Sequence, residues 1–518
     1  MKKTRIIALT LAILMALLVP ASVLADVRTT ADGRTQINIG WNYAITSMSP
    51  FQAESPAKNL FYATSVFETL GRFDQEGNVV PLLAKEWKQI DEDGYRFQVT
   101  LFDNIYDTAG NHITADDVIF SYEQIQASGS LNAYYNKVTG VEKVDDYNLI
   151  YNLTSNEFGD FDMVLNYAAV VSKKAFEDSG DQMATMLTGT GPYKVTGFVN
   201  SATVTLEKNE DYWQKDDSLK GPYAAQNVDV IEIKCIPENS QQEVALETGS
   251  IDFMFDMAAS SIQQLAGYSN ITHAIVPGTN QYFFYLSSAG PLANDNLRRA
   301  VGYAIDKDAV NEIAYENAMV PCDLGMQIFS DYNPAWAEQD YYGYDVQKAR
   351  ELIAQENAQG THIRIVATGT GVTMDEVIQA YLIDAGFDAE LVTEELATYL
   401  TDATNPEAYD IICITPFATC NVQMWKIMLD RRNWENGGTV NGFKDDHLQE
   451  LLETAASIEG HTPENMDALY QYIADKNYVY STFGTSVTNM WRTDSGIVET
   501  RSAFGALPYL GGFTYSWN

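Results

Sequence analysis

The chain has 518 residues, of which 46% are apolar and 12% aromatic, including 31 tyrosines. This length is more than one hydrophobic core usually supports, so two or three folded domains are expected, and the composition is that of a folded protein. The formal net charge of −38 describes a surface that repels nucleic-acid phosphates and anionic lipid, so no nucleic-acid partner is expected.

Residues 1–25 have the pattern of an export signal. Three basic residues in the first five positions precede an apolar run over 6–19, and residues 23–25 (VLA) are small or compact. Cleavage before Asp26 is predicted, and retention of the apolar run as a membrane anchor is the alternative. No lipobox cysteine follows the run. We expect an exported protein, either periplasmic or at the extracellular face of the cell membrane.

Alternating apolar residues predict strands over six segments, which are 35–41, 95–101, 228–236, 363–366, 390–392 and 410–415. A predicted helix lies between the strands at 363–366 and 390–392. This β-α-β order predicts a parallel or mixed sheet flanked by helices. The sequence has no internal repeat, low-complexity tract or long linker. The domains are therefore expected to exchange chain segments rather than to follow one another.

Capping residues predict where helices begin. A start at residues 55–56 precedes apolar residues at helical spacing, which are Leu60, Ala63, Phe67 and Leu70. Thr114 is followed by two acids, which suit the positively polarised first turn of a helix. Residues 373–376 (TMDE) form a capping box, and this helix is predicted to end near Ala385, with Gly386 in the left-handed conformation.

Sequence signatures of enzymes and metal sites are absent. The chain has no GxSxG, HExxH, P-loop or CxxC, and its five histidines are scattered. We therefore predict no catalytic residue, no cofactor, no metal ligand and no enzymatic activity. Cys413 and Cys420 are close enough in sequence to form a disulfide, with free thiols as the alternative. Cys235 shares a predicted strand face with Ile231 and Ile233, so it is expected in the core.

A group of aromatic side chains is predicted to line a small-molecule pocket. The candidate ligand-binding residues lie in or near strand ends and loops, and they are Trp41, Tyr43, Phe417, Asn421, Trp425 and Trp434. Open α/β sheets bind ligands beyond the carboxyl ends of their strands, which is where Trp41 and Phe417 are expected. Core packing is the alternative for each aromatic residue.

Several segments resemble the extracellular solute-binding proteins of family 5, the peptide and nickel receptors of ABC importers, which include dipeptide- and oligopeptide-binding proteins. In chain order they are 66–70 (VFETL), 77–87 (GNVVPLLAKEW), 113–123 (ITADDVIFSYE), 189–193 (GTGPY), 209–213 (NEDYW), 246–252 (LETGSID) and 298–308 (RRAVGYAIDKD). Weaker matches follow at 344–350 (YDVQKAR) and 441–445 (NGFKD). The resemblance covers nearly the whole chain after residue 25.

This resemblance implies an α/β, two-lobed periplasmic-binding-protein fold with a hinge, with mixed sheets flanked by helices and an extra subdomain inserted in lobe one. Lobe one would combine 26–63, 190–275 and 486–518, the inserted subdomain would be 64–189, and lobe two would be 276–485. The implied function is capture of a ligand by closure of the lobes. The implied partners are a small-molecule or peptide ligand and the permease subunits of an ABC importer, and the receptor is expected to be a monomer.

One departure from the family concerns ligand specificity. Its dipeptide receptors carry an aspartate in the loop after the strand that matches 409–415, where it pairs with the amino terminus of the peptide. Here that loop, 416–423, reads PFATCNVQ and contains no acid. A buried ammonium group without a counter-charge is costly, so recognition in that manner is not expected. The loop also has no histidine, which removes support for nickel.

Three hypotheses for the ligand and function remain. The first is a receptor for peptides or peptide-like solutes held through their backbone. The second keeps the fold and changes the ligand to an oligosaccharide, an opine-like compound or a metal chelate. The third is an exported hydrolase or a surface interaction protein. Arg431 and Arg432 are either ligands for a carboxylate or, as we favour, surface charges on the helix that contains Trp425.

Overall fold

The computed structural model describes residues 28–52, 65–128, 136–155, 157–167, 169–258, 260–339, 341–369, 372–435, 437–502, 504–505 and 507–517. Its strands are β1 Gln36–Trp41, β2 Gly71–Phe73, β3 Val79–Pro81, β4 Ala84–Gln89, β5 Arg96–Leu101, β6 Val138–Lys143, β7 Asn148–Leu153, β8 Tyr193–Val199, β9 Thr203–Lys208, β10 Val230–Cys235, β11 Phe253–Met257, β12 Ile271–Leu286, β13 Val320–Pro321, β14 His362–Thr368, β15 Asp388–Glu394, β16 Ile411–Ile414, β17 Val479–Arg492, β18 Ile497–Glu499 and β19 Thr514–Tyr515.

The α-helices are α1 Ala115–Ser128, α2 Asp160–Tyr167, α3 Lys173–Ser179, α4 Asn239–Glu247, α5 Ser260–Leu265, α6 Asp295–Ala304, α7 Lys307–Tyr315, α8 Val346–Gln355, α9 Val372–Ala385, α10 Leu396–Asp402, α11 Asn421–Leu429, α12 Arg432–Glu435, α13 Asp446–Ala456 and α14 Pro463–Lys476. Short 3-10 helices lie between them. Among the described residues, no helix has the length and apolar character needed to cross a membrane.

Eleven of the described strands form one mixed sheet that extends through two lobes. Its order is β15-β14-β16-β12-β17-β11-β1-β10-β9-β8, with β13 paired to β17. The first part of β12 pairs with the last part of β17, next to β11 in lobe one. The end of β12 pairs instead with β16 and with the start of β17 in lobe two. Thus β12 and β17 are the two strands that cross between the lobes.

The pairing of these two strands is interrupted where they cross. The register shifts between Pro277 and Gln281 and again between Gln281 and Phe283, opposite Gly484 of β17. An interrupted ladder bends a strand pair more readily than a continuous one. We call residues 277–283 and 481–486 the hinge segment.

Each lobe has its own hydrophobic core. The core of lobe one also includes buried residues of the inserted subdomain, such as Val99, Val118 and Leu149. The core of lobe two is built on β12, β14 and β16 and includes Trp336, Trp425 and Tyr470. Most of the buried apolar residues of this subdomain belong to the first core, and Phe73 belongs to the second.

The inserted subdomain contains an antiparallel sheet in the order β4-β5-β7-β6, with α1 packed on it. The loop after β7 also contacts lobe two. The ring of Phe158 stacks on His461 with centroids 3.5 Å apart, and the Lys426 ammonium pairs with the Glu157 carboxylate. The inserted subdomain therefore contacts both lobes in this conformation.

The six predicted strands are confirmed as β1, β5, β10, β14, β15 and β16, and β14 pairs in parallel with both β15 and β16. The predicted start of α1 is also confirmed, because the helix begins at Ala115, directly after Thr114, whose backbone N–H donates to the Asp117 carboxylate. Helix α9 ends at Ala385, and Gly386 follows with φ of +113°, as predicted.

Two helix predictions need correction. Helix α9 begins at Val372, so Thr373 lies inside its first turn instead of capping it. The helix predicted to continue through Phe67 and Leu70 is wrong there, because the described residues after position 66 are not helical in this stretch and Glu68 forms a β-bridge with Val170. The start predicted at 55–56 and the export signal over 1–25 lie outside the described residues.

Candidate ligand-binding cleft

The directions of the strands define a cleft between the lobes. In lobe one, β11 is antiparallel to β17, and β1 runs parallel to both β11 and β10. In lobe two, β16 is antiparallel to β12, and β14 runs parallel to β15 and β16. Because β12 runs into lobe two and β17 runs out of it, the carboxyl ends of both strand sets point at the hinge segment. Ligand sites of open α/β sheets lie at such strand ends.

The lobe-one wall of this cleft is aromatic. Trp41 ends β1, is 1% exposed, and stacks on Phe255 with ring centroids 5.0 Å apart. Tyr43 contacts the Trp41 ring edge-on at 5.7 Å and is 38% exposed. The next residue of β11, Asp256, has φ of +55° at a register shift, and burial raises its pKa. Tyr43 is thus the part of this cluster that faces solvent.

The lobe-two wall is formed by the loop after β16. Phe417 is half-buried and makes an antiparallel bridge to Asn280 in the hinge segment. Its ring lies edge-on to Tyr167 of the inserted subdomain, with centroids 6.1 Å apart. Phe417 therefore lies where lobe two, the hinge segment and the inserted subdomain meet.

A cavity of about 750 Å³ lies at the hinge between residues of both lobes. Val276 and Thr485 line it from the crossing strands, Cys322 and Met326 from lobe two, and Arg501 from the C-terminal segment. Sequence reasoning did not identify this cavity, because its lining comes from segments far apart in the chain.

Asn421 and Trp425, two of the predicted ligand-binding residues, are buried in lobe two. The Asn421 amide accepts a hydrogen bond from Met326 N at 2.7 Å and donates to the Asp331 carboxylate at 3.0 Å. Trp425 is fully buried, and its indole N–H donates to Leu324 O at 3.0 Å. Both side chains hold α11 against the core of lobe two.

Trp434 and the two neighbouring arginines lie beyond α11. Trp434 is half-buried in α12, and its indole nitrogen has no hydrogen-bond acceptor among the described residues. Arg431 pairs with Asp446 at 2.9 Å, and Arg432 pairs with Asp430 at 2.5 Å. Both arginines therefore have acidic partners in lobe two, as the surface-charge interpretation predicts, but they lie outside the helix that contains Trp425.

All four cysteines lie in the described part of the chain, and each is a free thiol. The free-thiol alternative for Cys413 and Cys420 is therefore the one the structure shows. Cys235 packs against the core of lobe one from β10, as predicted.

Two acidic residues near the cleft were missed. Asp256 is described above, and Asp375 on α9 is 3% exposed. A signal for Asp375 exists in the sequence, because it stands at helical spacing with Ile378 and Leu382, which are both buried. An acid on an apolar helix stripe indicates a buried carboxyl group.

A family model described as bacterial extracellular solute-binding proteins, family 5, matches residues 78–415. That match covers more than half of the chain. The chain belongs to this family.

Relatives of known name agree with the assignment to family 5. The dipeptide-binding protein of Escherichia coli is 25% identical over 365 residues, which cover 64% of this chain and 66% of that protein. The glutathione-binding protein GsiB of Pectobacterium atrosepticum is 23% identical over 315 residues, 60% of this chain and 59% of the relative. The alignments thus span about three fifths to two thirds of the length of these relatives.

The fold agrees as well. The structure of HbpA2 from Haemophilus parasuis superposes with a TM-score of 0.79 over 93% of this chain and 100% of that chain, at 20% identity. At that identity the likeness establishes the fold, which is the two-lobed fold of family 5.

Two of the segments that resemble family 5 contact each other in the fold. The backbone N–H of Gly191 donates to Val66 O at 2.8 Å, and a Cβ at Gly191 would lie 2.6 Å from Ser65 O. This contact joins the 189–193 segment to the 66–70 segment, and only glycine allows it. These two segments therefore contribute to the fold through a close backbone contact.

Proposed function

We propose that this chain is the substrate-binding component of an ABC importer, which captures peptides or peptide-like solutes by closure of its two lobes. The observation that carries the proposal is the hinge segment, where two crossing strands lose their regular pairing. The carboxyl ends of the strands of both lobes face each other across this segment, so closure of the lobes would enclose a ligand between them. Family 5 membership and the printed names of the two relatives support a peptide-like ligand.

Closure requires a ligand that contacts both lobes, because only differential affinity for the closed form shifts the equilibrium. Tyr43 is the exposed contact of lobe one, and Trp41 fixes its position by ring packing. Phe417 is the contact of lobe two. We propose these three as ligand-binding residues and assign Asn421 and Trp425 to the scaffold.

We also propose the division of the chain and its cellular context. The shared core of lobe one and the inserted subdomain supports an insertion over 64–189. The crossing of β12 and β17 supports lobe two at 276–485, with lobe one formed by 26–63, 190–275 and 486–518. The segment 1–25 supports export. We propose a monomeric receptor without enzymatic activity, which delivers its ligand to importer permease subunits.

A thermal-shift screen of the exported protein tests this function. Peptides of two to five residues, oligosaccharides and metal chelates are compared at a hundredfold excess over the expected Kd, where binding stabilises the fold by about 2.7 kcal/mol. Stabilisation by peptides, with a smaller radius of gyration in X-ray scattering, is the expected result. Stabilisation by sugars or chelates without peptides contradicts a peptide-like ligand, and no shift with any class contradicts the receptor assignment.

A further inference from the structure

A buried acidic side chain without an ionic partner lies in lobe two near the cleft. Asp375 stands in the first turn of α9 and is 3% exposed. Its Oδ1 atom is shielded from solvent and accepts no hydrogen bond from any described residue. Burial raises the pKa of Asp375 to about 7.

Four polar side chains lie within electrostatic range of this carboxyl. Burial raises the pKa values of four side chains, and the negative charge of Asp375 raises each further; they are Tyr282, Tyr315, Tyr399 and Cys413. The rings of Tyr282 and Tyr315 are 6.1 Å apart, and the Tyr315 hydroxyl donates to Met374 Sδ at 3.4 Å. The Tyr399 hydroxyl donates to Cys413 O. We call Asp375 and these four side chains the Asp375 cluster.

The Asp375 cluster lies at the edge of lobe two that faces lobe one. Cys413 is near the carboxyl end of β16, and α9 follows the carboxyl end of β14. Tyr282 lies in the hinge segment, two residues after Asn280, which bridges to Phe417. Tyr282, Tyr315 and Cys413 are half-buried. The cluster therefore lies at the strand ends of lobe two that point toward the hinge segment, and three of its members are partly exposed.

A carboxylate in such a place is costly for the free protein. An ion without a partner in a low-dielectric interior loses its hydration and gains no compensating attraction. A cation from outside the chain would supply that attraction, and tyrosine rings are suitable walls for an ammonium group. The loop 416–423 contains no acid, whereas the Asp375 carboxyl lies in the first turn of the helix that follows β14, at the same edge of lobe two.

We propose that the Asp375 carboxylate binds the ammonium group of the ligand, inside a pocket walled by Tyr282 and Tyr315. The ligand class is a peptide or peptide-like solute with a free amine, either at its amino terminus or on a side chain. This inference rests on the proposed function, which it makes more specific. The Asp375 site takes the role of a counter-charge that loop 416–423 does not fill.

The test compares ligands that differ by one positive charge. Calorimetry measures binding of tetraalanine and of N-acetyl-tetraalanine to the exported protein, to Asp375→Asn and to Glu376→Gln. Glu376 is exposed on the same helical turn, so the second variant is a matched control. We expect Asp375→Asn to weaken binding of tetraalanine by about 10- to 100-fold, as for loss of a charge-assisted hydrogen bond, and Glu376→Gln to leave it unchanged.

The pH dependence separates an ionic role from a structural one. Tyr282, Tyr315, Tyr399 and Cys413 have pKa values raised above their ordinary ranges, so Asp375 is the member of the cluster that titrates near neutral pH. Affinity for tetraalanine should rise from pH 5.5 to 7 in the wild-type protein, a range in which the α-amine of the peptide stays mostly protonated, and should stay flat in Asp375→Asn. A parallel rise in both proteins would overturn the proposal.

The remaining outcomes distinguish this proposal from the proposed function. Equal affinity for both peptides overturns the role of Asp375 and leaves the peptide receptor intact. If neither peptide binds, n-butylamine and n-butanol are compared by thermal shift at equal concentration. Stabilisation by the amine alone, lost in Asp375→Asn, supports the cation site while contradicting the peptide ligand. No stabilisation by the amine overturns the cation site as well.

Discussion

The indole N–H of Trp213 donates to the carboxylate of Glu68 at 2.6 Å, across a sequence separation of 145 residues. The hydroxyl of Tyr212 donates to the other oxygen of the same carboxylate at 2.5 Å. All three side chains are buried. The 66–70 and 209–213 segments, which both belong to the family resemblance, are thus joined by one buried acid with two donors. Burial nevertheless raises the pKa of Glu68 to about 7.

Replacement of Trp213 by phenylalanine should lower the free energy of unfolding by about 1–3 kcal/mol, because a buried carboxylate oxygen loses its donor. Urea denaturation at pH 8 measures the change. Trp434→Phe is the control, since it is also a tryptophan replacement but the Trp434 indole has no acceptor among the described residues. If both variants lose the same free energy of unfolding, the loss comes from the smaller ring and not from the missing hydrogen bond.

The stability of the ligand-free protein should depend on Asp375 in a pH-dependent way. A carboxyl whose folded pKa is about 7 and whose unfolded pKa is near 3.8 favours the protonated form on folding. Its burial therefore costs nothing below pH 4, and the cost grows as pH rises to 7 and is complete above that. Asp375→Asn should be more stable than wild type at pH 8, by up to about 4 kcal/mol.

Urea denaturation at pH 4, 6 and 8 checks this dependence. The difference in unfolding free energy between Asp375→Asn and wild type should be largest at pH 8 and close to zero at pH 4. Glu376→Gln should show no such trend, because that side chain is exposed. A variant less stable than wild type at pH 8 would indicate that the carboxylate makes a structural contact.

The fold was predictable because several segments contain residues that only one local backbone arrangement accommodates. Residues 189–193 need glycine for close approach to Val66, and Gly386 ends α9 with a positive φ. The strands could be located since their apolar residues alternate or form short runs. The start of α9 at Val372 was missed by two residues, because a capping box at 373–376 places the first helical residue at Met374 and fixes a helix start only to within a turn.

The ligand-contact residues were less predictable, because aromatic side chains serve cores and pockets alike. Seven of the nine residues of α11 are buried, including Trp425 and Lys426. The exposed side chain of this helix is apolar, Ile427, so the sequence does not mark the solvent face and the direction in which Trp425 points could not be inferred. Asp375 was one acid among 70 acidic residues, and its position on the apolar stripe of α9 becomes meaningful only with burial.

The two aromatic residues at the end of β1 should respond differently to mutation. Tyr43→Ala should weaken ligand binding by about fivefold or more with little change in stability, because the ring is 38% exposed. Trp41→Ala should lower the unfolding free energy by about 3–5 kcal/mol, because a buried ring stacked on Phe255 leaves a cavity. Calorimetric titration with the ligand found by the screen, and urea denaturation, measure the two effects.

Tyr106→Ala is the control for Tyr43→Ala, since Tyr106 is 45% exposed on the inserted subdomain. Ligand affinity of the control should equal that of the wild type. Equal affinity of Tyr43→Ala and wild type would remove this residue from the proposed ligand contacts.

Export should remove the first 25 residues. Mass spectrometry of the protein recovered from the periplasm or medium of a bacterial host should give a chain that begins at Asp26. Replacement of Ala25 by phenylalanine places a large residue at the cleavage site and should leave the segment attached. A full-length chain in the membrane fraction of the wild type would instead support an uncleaved anchor.

Movement at the hinge segment should be sensitive to added volume at Gly278. A Cβ at this position would lie 2.6 Å from Thr485 Oγ1 and 3.2 Å from Thr485 O, both on the partner strand β17. Gly278→Ala therefore crowds the irregular part of the β12–β17 pair, where any change in lobe angle must be absorbed. We expect weaker ligand binding and a smaller ligand-induced decrease in radius of gyration, measured by calorimetry and X-ray scattering.

Gly140→Ala is the control, because a Cβ there has no neighbour within 4 Å. Unchanged affinity and closure in Gly278→Ala would move the pivot away from this segment.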